Sequence, residues 1–92
     1  MATTKGKKRV TFLLDDPNAW QVAVCGDFND WEIEKHPMQK TEDGRWRKIM
    51  MLAPGRYEYK FYVDTEWRCD PANPSRCANM FGTANSVVFV EP

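Results

Sequence analysis

The segment Gly26-Asp27-Phe28-Asn29-Asp30-Trp31 lies where an apolar run ends and a polar loop begins. The run before it, Trp20 to Cys25, has the period of two that is typical of a half-buried β-strand. One predicted face of this strand carries Trp20, Val22 and Val24. The segment therefore places an aromatic side chain, Trp31, just beyond a strand end, where loops often carry functional residues.

The same period, interrupted by turn-forming residues, predicts further short strands along the chain. They are Arg9–Leu14, Arg45–Leu52, Arg56–Asp64, a short strand around Trp67, and Ser86–Val90. Residues 26–44 and 70–85 are predicted to be loops, with Met38 contributing to the core. No segment shows a sustained helical period of 3.6 residues. Many short strands between turns predict an all-β fold, a sandwich or a barrel.

The strand Arg56–Asp64 has the clearest alternation. Its apolar row, predicted to face the core, is Tyr57, Tyr59, Phe61 and Val63. The opposite row, predicted to face water, is Arg56, Glu58, Lys60, Tyr62 and Asp64. An antiparallel sheet with one solvated face shows this pattern.

Length and charge limit the function classes. A chain of 92 residues fits one domain with one compact core. Thirteen basic residues balance thirteen acidic ones, which gives no electrostatic reason to expect a nucleic acid or an anionic membrane as partner. The basic run Lys5–Arg9 is predicted to be solvated. We expect a flexible N-terminal arm at 1–8 and a β-sandwich domain at 9–92.

Cysteine and histidine usage argues against a metal site. Three cysteines without metal-ligand spacing and a single histidine make zinc an unsupported assignment, and no cofactor is expected. Cys69 and Cys77 bracket a proline-containing loop, which leaves a disulfide between them or two free thiols as alternatives. No apolar run approaches the roughly 20 residues of a membrane span. With no secretory signal apparent, a reduced, cytoplasmic protein is expected.

Exposed aromatic and polar side chains suggest a sugar ligand. A sugar ring has an apolar C–H face, which a flat aromatic covers, and a rim of hydroxyls, which amides or charged groups bind. Trp31 lies among acidic residues, so it is either a platform for a ring or a loop aromatic folded back on the core. Trp67 is either a platform or a hairpin cap on Tyr62. Lys60 is either a hydroxyl ligand or a solvated lysine, and Asn85 either a ligand or a turn cap.

The order of motifs resembles carbohydrate-binding module family 48. The quoted segment is followed by Asp43-Gly44-Arg45-Trp46, Pro54-Gly55-Arg56-Tyr57-Glu58-Tyr59-Lys60-Phe61, Val63-Asp64 with Trp67, Asp70-Pro71, and Gly82-Thr83-Ala84-Asn85-Ser86-Val87-Val88. The resemblance covers about residues 9–91. That family includes the glycogen-binding domain of the AMP-activated protein kinase beta subunit and the N-terminal domains of isoamylases and branching enzymes.

The resemblance implies an immunoglobulin-like β-sandwich that binds α-1,4-linked glucan without catalysis. Its ligands would be glycogen, starch, maltooligosaccharides and cyclodextrins. By motif position, Trp31 and Trp67 would stack on glucose rings, and Lys60 and Asn85 would bind hydroxyls. Phe81 stands where the kinase domain has a leucine that enters a cyclic glucan, although a core plug under the loop is an equal interpretation.

One departure from the family pattern concerns the turn before Trp67. The family often has Val-Asp-Gly, whereas this chain has Val63-Asp64-Thr65. Threonine resists the positive φ that glycine supplies freely, so the turn and the orientation of Trp67 are expected to differ.

Two other functions remain as alternatives. A protein-interaction module of the same fold would dock on a glycoside hydrolase or a kinase and use the two tryptophans as interface anchors. Catalysis is not expected, because no carboxylate pair or Ser-His-Asp pattern is evident and an amylase-type barrel needs at least about 200 residues.

Overall fold

The computed structural model describes residues 6–92, and eight strands form two antiparallel sheets within them. The strands are β1 (Lys8–Asp15), β2 (Val22–Gly26), β3 (Gln39–Lys40), β4 (Arg45–Leu52), β5 (Gly55–Val63), β6 (Glu66–Arg68), β7 (Arg76–Ala78) and β8 (Ala84–Val90). One sheet has the order β1-β4-β3; the other has the order β2-β5-β8-β7, with β6 beside β5. The predicted all-β, immunoglobulin-like β-sandwich is confirmed.

The core lies between the two sheets. Phe12 of β1 meets Tyr59 of β5 edge to face, with ring centroids 4.9 Å apart. Trp46 of β4 is buried and its indole Nε1 donates to the Asp16 carbonyl at 2.9 Å. Met38 drops into the core as predicted. Alternation along β4 and β5 thus supplies one apolar face to each sheet, because side chains two residues apart share a face.

Strand β5 is the centre of the second sheet. Its residues Tyr59–Val63 pair with β2 along one edge. Along the other edge, Gly55–Tyr59 pair with β8 and Phe61–Val63 pair with β6. The segments that follow β2 and precede β8 therefore lie on opposite sides of the middle of β5.

Trp20 does not belong to the second strand, and the prediction that the strand begins at Trp20, with Trp20, Val22 and Val24 on one face, is wrong. The strand begins at Val22, and the Trp20 side chain is 89% exposed. The backbone N–H groups of Trp20 and Gln21 both donate to the Asp64 carboxylate, at 2.9 and 3.1 Å. The Asp64 carboxylate thus holds the backbone N–H groups that precede the strand, and the strand begins two residues later than the sequence indicates.

Two further predictions need correction. The loop predicted for residues 70–85 contains the edge strand β7, which pairs with β8 and is too short to show an alternating pattern. Lys60, predicted to face water, is only 9% exposed. Residues from the chain segments on both sides of β5 surround it and line the same groove.

The structure also bears on the predictions about the N-terminal arm, the cysteines and a membrane span. Strand β1 begins at Lys8, one residue inside the predicted arm, and residues 1–5 of that arm lie outside the described residues. All three cysteines are free: the Cys69 thiol donates to the Ala84 carbonyl at 3.1 Å, and Cys77 lies on β7. Between residues 6 and 92, no helix is long and apolar enough to cross a membrane.

In the turn before Trp67, the aspartate and not the threonine adopts the left-handed backbone conformation. The positive φ of 58° falls on Asp64, and Thr65 keeps a negative φ. Aspartate tolerates the left-handed region better than a β-branched residue does. The hairpin therefore closes with Val63 opposite Glu66 and Tyr62 opposite Trp67.

Gly26 is required because of close packing and not because of its backbone conformation. Its φ of −174° is ordinary extended backbone that any residue adopts. A Cβ here would clash with the Glu58 carbonyl and lie 2.8 Å from Tyr59 Cβ. We expect Gly26→Ala to lower the free energy of unfolding by about 3 kcal/mol or more. Gly82→Ala, where a Cβ meets nothing within 4 Å but φ is +80°, should cost only about 1 kcal/mol. Urea denaturation of both variants tests this, and equal losses would contradict it.

Candidate functional site

A groove of about 800 Å³ opens on the outer face of the second sheet. Strand β5 forms its floor, and its walls come from the segment after β2, from β6, and from the segment before β8. The lining residues are Asp27, Trp31, Glu58, Lys60, Trp67, Asn79, Met80, Phe81, Thr83 and Asn85. All the candidate ligand residues predicted from the sequence, namely Trp31, Lys60, Trp67, Phe81 and Asn85, are thus brought together.

The two tryptophans stand side by side in this groove. The ring centroids of Trp31 and Trp67 are 6.2 Å apart, and their planes are inclined by 62°. Trp67 also packs on Tyr62, with centroids 4.8 Å apart, yet it remains 44% exposed. Trp67 is therefore both the hairpin cap and an open aromatic surface, so the two interpretations drawn from the sequence are compatible.

The loop that carries Trp31 has an unusual backbone. Asp30 and Trp31 both adopt left-handed conformations, with φ of 58° and 61°. A positive φ is uncommon for a bulky residue and persists only where surrounding contacts hold it. Here the Trp31 N–H donates to the Gly26 carbonyl at 3.1 Å.

Asp27 connects this loop to the central strand. One oxygen of its carboxylate accepts from the Trp31 indole at 3.3 Å, and the other accepts from the Glu58 backbone N–H at 2.8 Å. The short helical turn Asp27–Asn29 thus extends the pairing of β2 with β5 by one side-chain hydrogen bond. The orientation of the Trp31 ring is held relative to β5 by the same carboxylate.

Asn29 is the buried support of the loop. Its Oδ1 accepts from the Gly26 N–H at 3.0 Å, and its Nδ2 donates to the Val24 carbonyl at 3.0 Å and to His36 Nδ1 at 2.8 Å. Because the two backbone partners fix the amide orientation, His36 Nδ1 must be the acceptor and hence unprotonated. All the polar atoms of this 3%-exposed amide are therefore satisfied.

The segment before β8 is organised by Asn79. Its Oδ1 accepts from the backbone N–H groups of Phe81 and Thr83, at 2.9 and 3.1 Å. Its Nδ2 donates to Thr83 Oγ1 at 2.8 Å and to Asn85 Oδ1 at 2.9 Å. One side chain thereby closes the loop that holds Met80 and Phe81, which are 88% and 81% exposed, beside the groove. The interpretation of Phe81 as a core plug is wrong, since the loop directs it outward.

Lys60 and Asn85 lie on adjoining strands at the floor of the groove. The Lys60 ammonium donates to Thr83 Oγ1 at 3.2 Å, and none of the ion pairs within residues 6–92 includes it. The Asn85 amide donates to Glu58 Oε1 at 3.0 Å. The hydrogen bond from Asn85, followed by that from Arg56, holds the pKa of the Glu58 carboxyl below its ordinary value.

The structure adds groove residues that the sequence did not predict as ligands, namely Asp27, Glu58, Asn79, Met80 and Thr83. Glu58 has a detectable signal, because it stands two residues before Lys60 and so shares its face of β5. Asn79 and Thr83 have none, since their roles depend on how the loop closes. No group of three or more His, Cys, Asp or Glu in the described chain is placed to hold a metal ion.

A small antiparallel β-sandwich with an aromatic groove on one sheet is the architecture of a carbohydrate-binding module. The family described as the glycogen recognition site of AMP-activated protein kinase matches residues 9–92, and the chain belongs to this family. The predicted resemblance is thereby confirmed.

Among its relatives, the chain is 40% identical over 60 residues to the 1,4-alpha-glucan branching enzyme GlgB of Oceanobacillus iheyensis, covering 64% of this chain and 9% of that protein. It is 41% identical over 59 residues to Protein PTST homolog 2, chloroplastic, of Arabidopsis thaliana, covering 63% and 11%. The chain thus spans about a tenth of the length of these relatives.

The fold is also that of a domain within the crystal structure of a maltogenic amylase from S. marinus. The TM-score is 0.81 at 21% identity, and the match covers 95% of this chain and 14% of that one. At this identity the similarity concerns the fold alone.

Stability should depend on the protonation of His36. Burial, then the charges of Lys48 and Lys35, lower the imidazole pKa below its ordinary value of 6.5. The unfolded chain therefore takes up this proton at a higher pH than the folded protein does, so stability falls as pH drops below about 6.5. We expect the Tm to decrease between about pH 7 and pH 5. The decrease should be smaller in His36→Gln, and an imidazole pKa above 6.5 by NMR would contradict the proposal.

Removing the side chain of Asn79 should loosen the loop it closes. In Asn79→Ala, the N–H groups of Phe81 and Thr83 lose their acceptor, and their amide hydrogen exchange should accelerate about fivefold or more, since each bond contributes about 1 kcal/mol. Asn79→Asp keeps that acceptor and loses only the donors to Thr83 Oγ1 and Asn85 Oδ1, so protection of the two amides should persist. Unchanged exchange in the alanine variant would show that other contacts hold the loop.

Proposed function

We propose that the groove binds α-1,4-linked glucan of the glycogen and starch type, including maltooligosaccharides and cyclodextrins, without catalysis. The observation that carries this proposal is the pair Trp31 and Trp67, 6.2 Å apart in one groove, with Lys60 and Asn85 at its floor. The names of the relatives support the same ligand class, since one is a 1,4-alpha-glucan branching enzyme.

The inclination of the two indoles favours a curved ligand. Planes at 62° cannot both lie flat against one extended ribbon of sugar rings. They suit two rings of a chain that turns between them, and α-1,4 linkages produce such a curve, whereas β-1,4 linkages produce flat ribbons. In this arrangement each tryptophan covers the C–H face of one glucose ring. The exposed Phe81 would close the groove from the opposite wall.

The polar groups at the floor retain capacity for sugar hydroxyls. The Asn85 amide uses one N–H for Glu58 and one lone pair for Asn79, which leaves one donor and one acceptor position. The Lys60 ammonium uses one of its three N–H groups for Thr83. Both side chains are held by these bonds before a ligand arrives, which lowers the ordering cost of binding.

The carboxylates of the groove are not arranged for glycoside hydrolysis. Both oxygens of Asp27 accept hydrogen bonds from N–H groups, as do both oxygens of Glu58. The pKa of Glu58 is lowered, whereas a general acid for hydrolysis needs a raised one. These contacts support a binding role for both residues.

The module would hold an associated enzyme on the polysaccharide. Because the chain spans about a tenth of its relatives' lengths, a glycoside hydrolase, a branching activity or a kinase would lie elsewhere in the same or another chain. Location in the cytoplasm stays a prediction, and some relatives bear chloroplastic names. The alternative, a protein-docking module, is favoured by the apolar residues exposed on β1 and β4, namely Leu13, Ile49 and Met51.

Tryptophan fluorescence during titration with a cyclic α-1,4-glucan tests the proposal. Two aromatic stacks at roughly 1–3 kcal/mol each, with hydrogen bonds and less the ordering costs, give an expected Kd of about 10 µM to 1 mM. We expect Trp31→Ala and Trp67→Ala each to weaken binding about tenfold or more. Trp20→Ala is the matched control, because Trp20 is 89% exposed and does not line the groove.

Two outcomes would count against glucan binding here. Parental affinity in both groove variants would place the ligand elsewhere on the protein. No response of the folded parent at millimolar glucan would favour the protein-docking function. Pull-down with a candidate enzyme partner then tests that function, using Ile49→Ala and Met51→Ala beside the same three variants.

A further inference from the structure

The outer face of the second sheet continues beyond the groove. Along β8, side chains two residues apart share a face, so Asn85, Val87 and Phe89 lie on the groove side. The register places Val87 opposite Glu58 and Phe89 opposite Arg56. From Asn85 to Phe89 the strand advances by about 13 Å.

Phe89 is an aromatic surface presented by a strand. Its side chain is 63% exposed, whereas Val87, between it and Asn85, is only 4% exposed. A strand holds a side chain more rigidly than a loop does, so Phe89 needs little ordering before it contacts a ligand. Phe89 is not among the residues that line the groove.

A line of hydrogen-bonded polar groups joins the groove to Phe89. The Asn85 amide donates to Glu58 Oε1 at 3.0 Å, and Glu58 Oε2 accepts from the Arg56 guanidinium at 2.9 Å. Arg56 is the cross-strand neighbour of Phe89. Its guanidinium has five N–H donors, of which one is used by Glu58, so the others can meet hydroxyls.

We propose that this face is an extension of the groove, in which Phe89 is a further stacking platform and Arg56 a hydroxyl donor for the same glucan chain. This inference rests on the proposed function and adds that affinity depends on the length of the glucan chain. A short oligosaccharide fills the groove alone. A longer linear chain that leaves the groove past Asn85 runs over Arg56 and places another ring against Phe89.

The test compares linear maltooligosaccharides of increasing length by isothermal titration calorimetry. In the parent, we expect affinity to rise once the chain is long enough to reach Phe89. In Phe89→Thr, which replaces the ring by a β-branched residue that strands favour, this rise should shrink by about fivefold or more. Short oligosaccharides should bind parent and variant alike, which also shows that the variant is folded.

Phe89→Tyr, which restores a flat ring, should recover the long-chain affinity. Met51→Ala is the matched control, because Met51 is 53% exposed and belongs to the other sheet. A length-dependent rise that persists in Phe89→Thr, or a parent whose affinity does not rise with length, would overturn the extension while leaving the groove intact. A parent that binds no oligosaccharide of any length would instead overturn the proposed function, and the extension with it.

Discussion

The pairing of β5 along both of its edges is the constraint on which the rest of this structure depends. Because β2 occupies one edge and β8 and β6 share the other, three separate parts of the chain converge on one short stretch of strand. Lys60 lies in that stretch and is buried by the convergence. The aromatic groove is therefore a product of sheet topology, with each wall supplied by a neighbouring strand or by the loop beside it.

Both loops of the groove are held by single polar side chains that satisfy several backbone groups. Asn29 supports the left-handed segment that carries Trp31, and Asn79 closes the segment that exposes Phe81. Asp27 and Glu58 then connect these loops to β5 and β8. Such networks hold the groove in shape before a ligand arrives, because a buried amide that lost one partner would carry an uncompensated polar atom.

Sequence reasoning succeeded where a local rule decides the outcome and failed where distant contacts do. Strand β4 was predicted to the residue, since its alternation is strong and its ends carry turn residues. Trp20 was misplaced because the Asp64 carboxylate, 44 residues away, captures its backbone N–H. The edge strand β7 escaped notice because its three residues gain their structure only from pairing with β8.

By itself, the sequence determined that this chain is an all-β module, where six of the eight described strands lie, and that Trp31, Lys60, Trp67, Phe81 and Asn85 were the residues to examine. The alternation of apolar and polar residues and the preferences of turn-forming residues are local properties, so they can be recognised from the sequence alone. Only the tertiary structure decided that these residues share one groove, that the indoles meet at 62°, and that Asn79, Asp27 and Glu58 hold them in place. Those facts depend on the register of β5 with its neighbours, which brings together residues far apart in sequence.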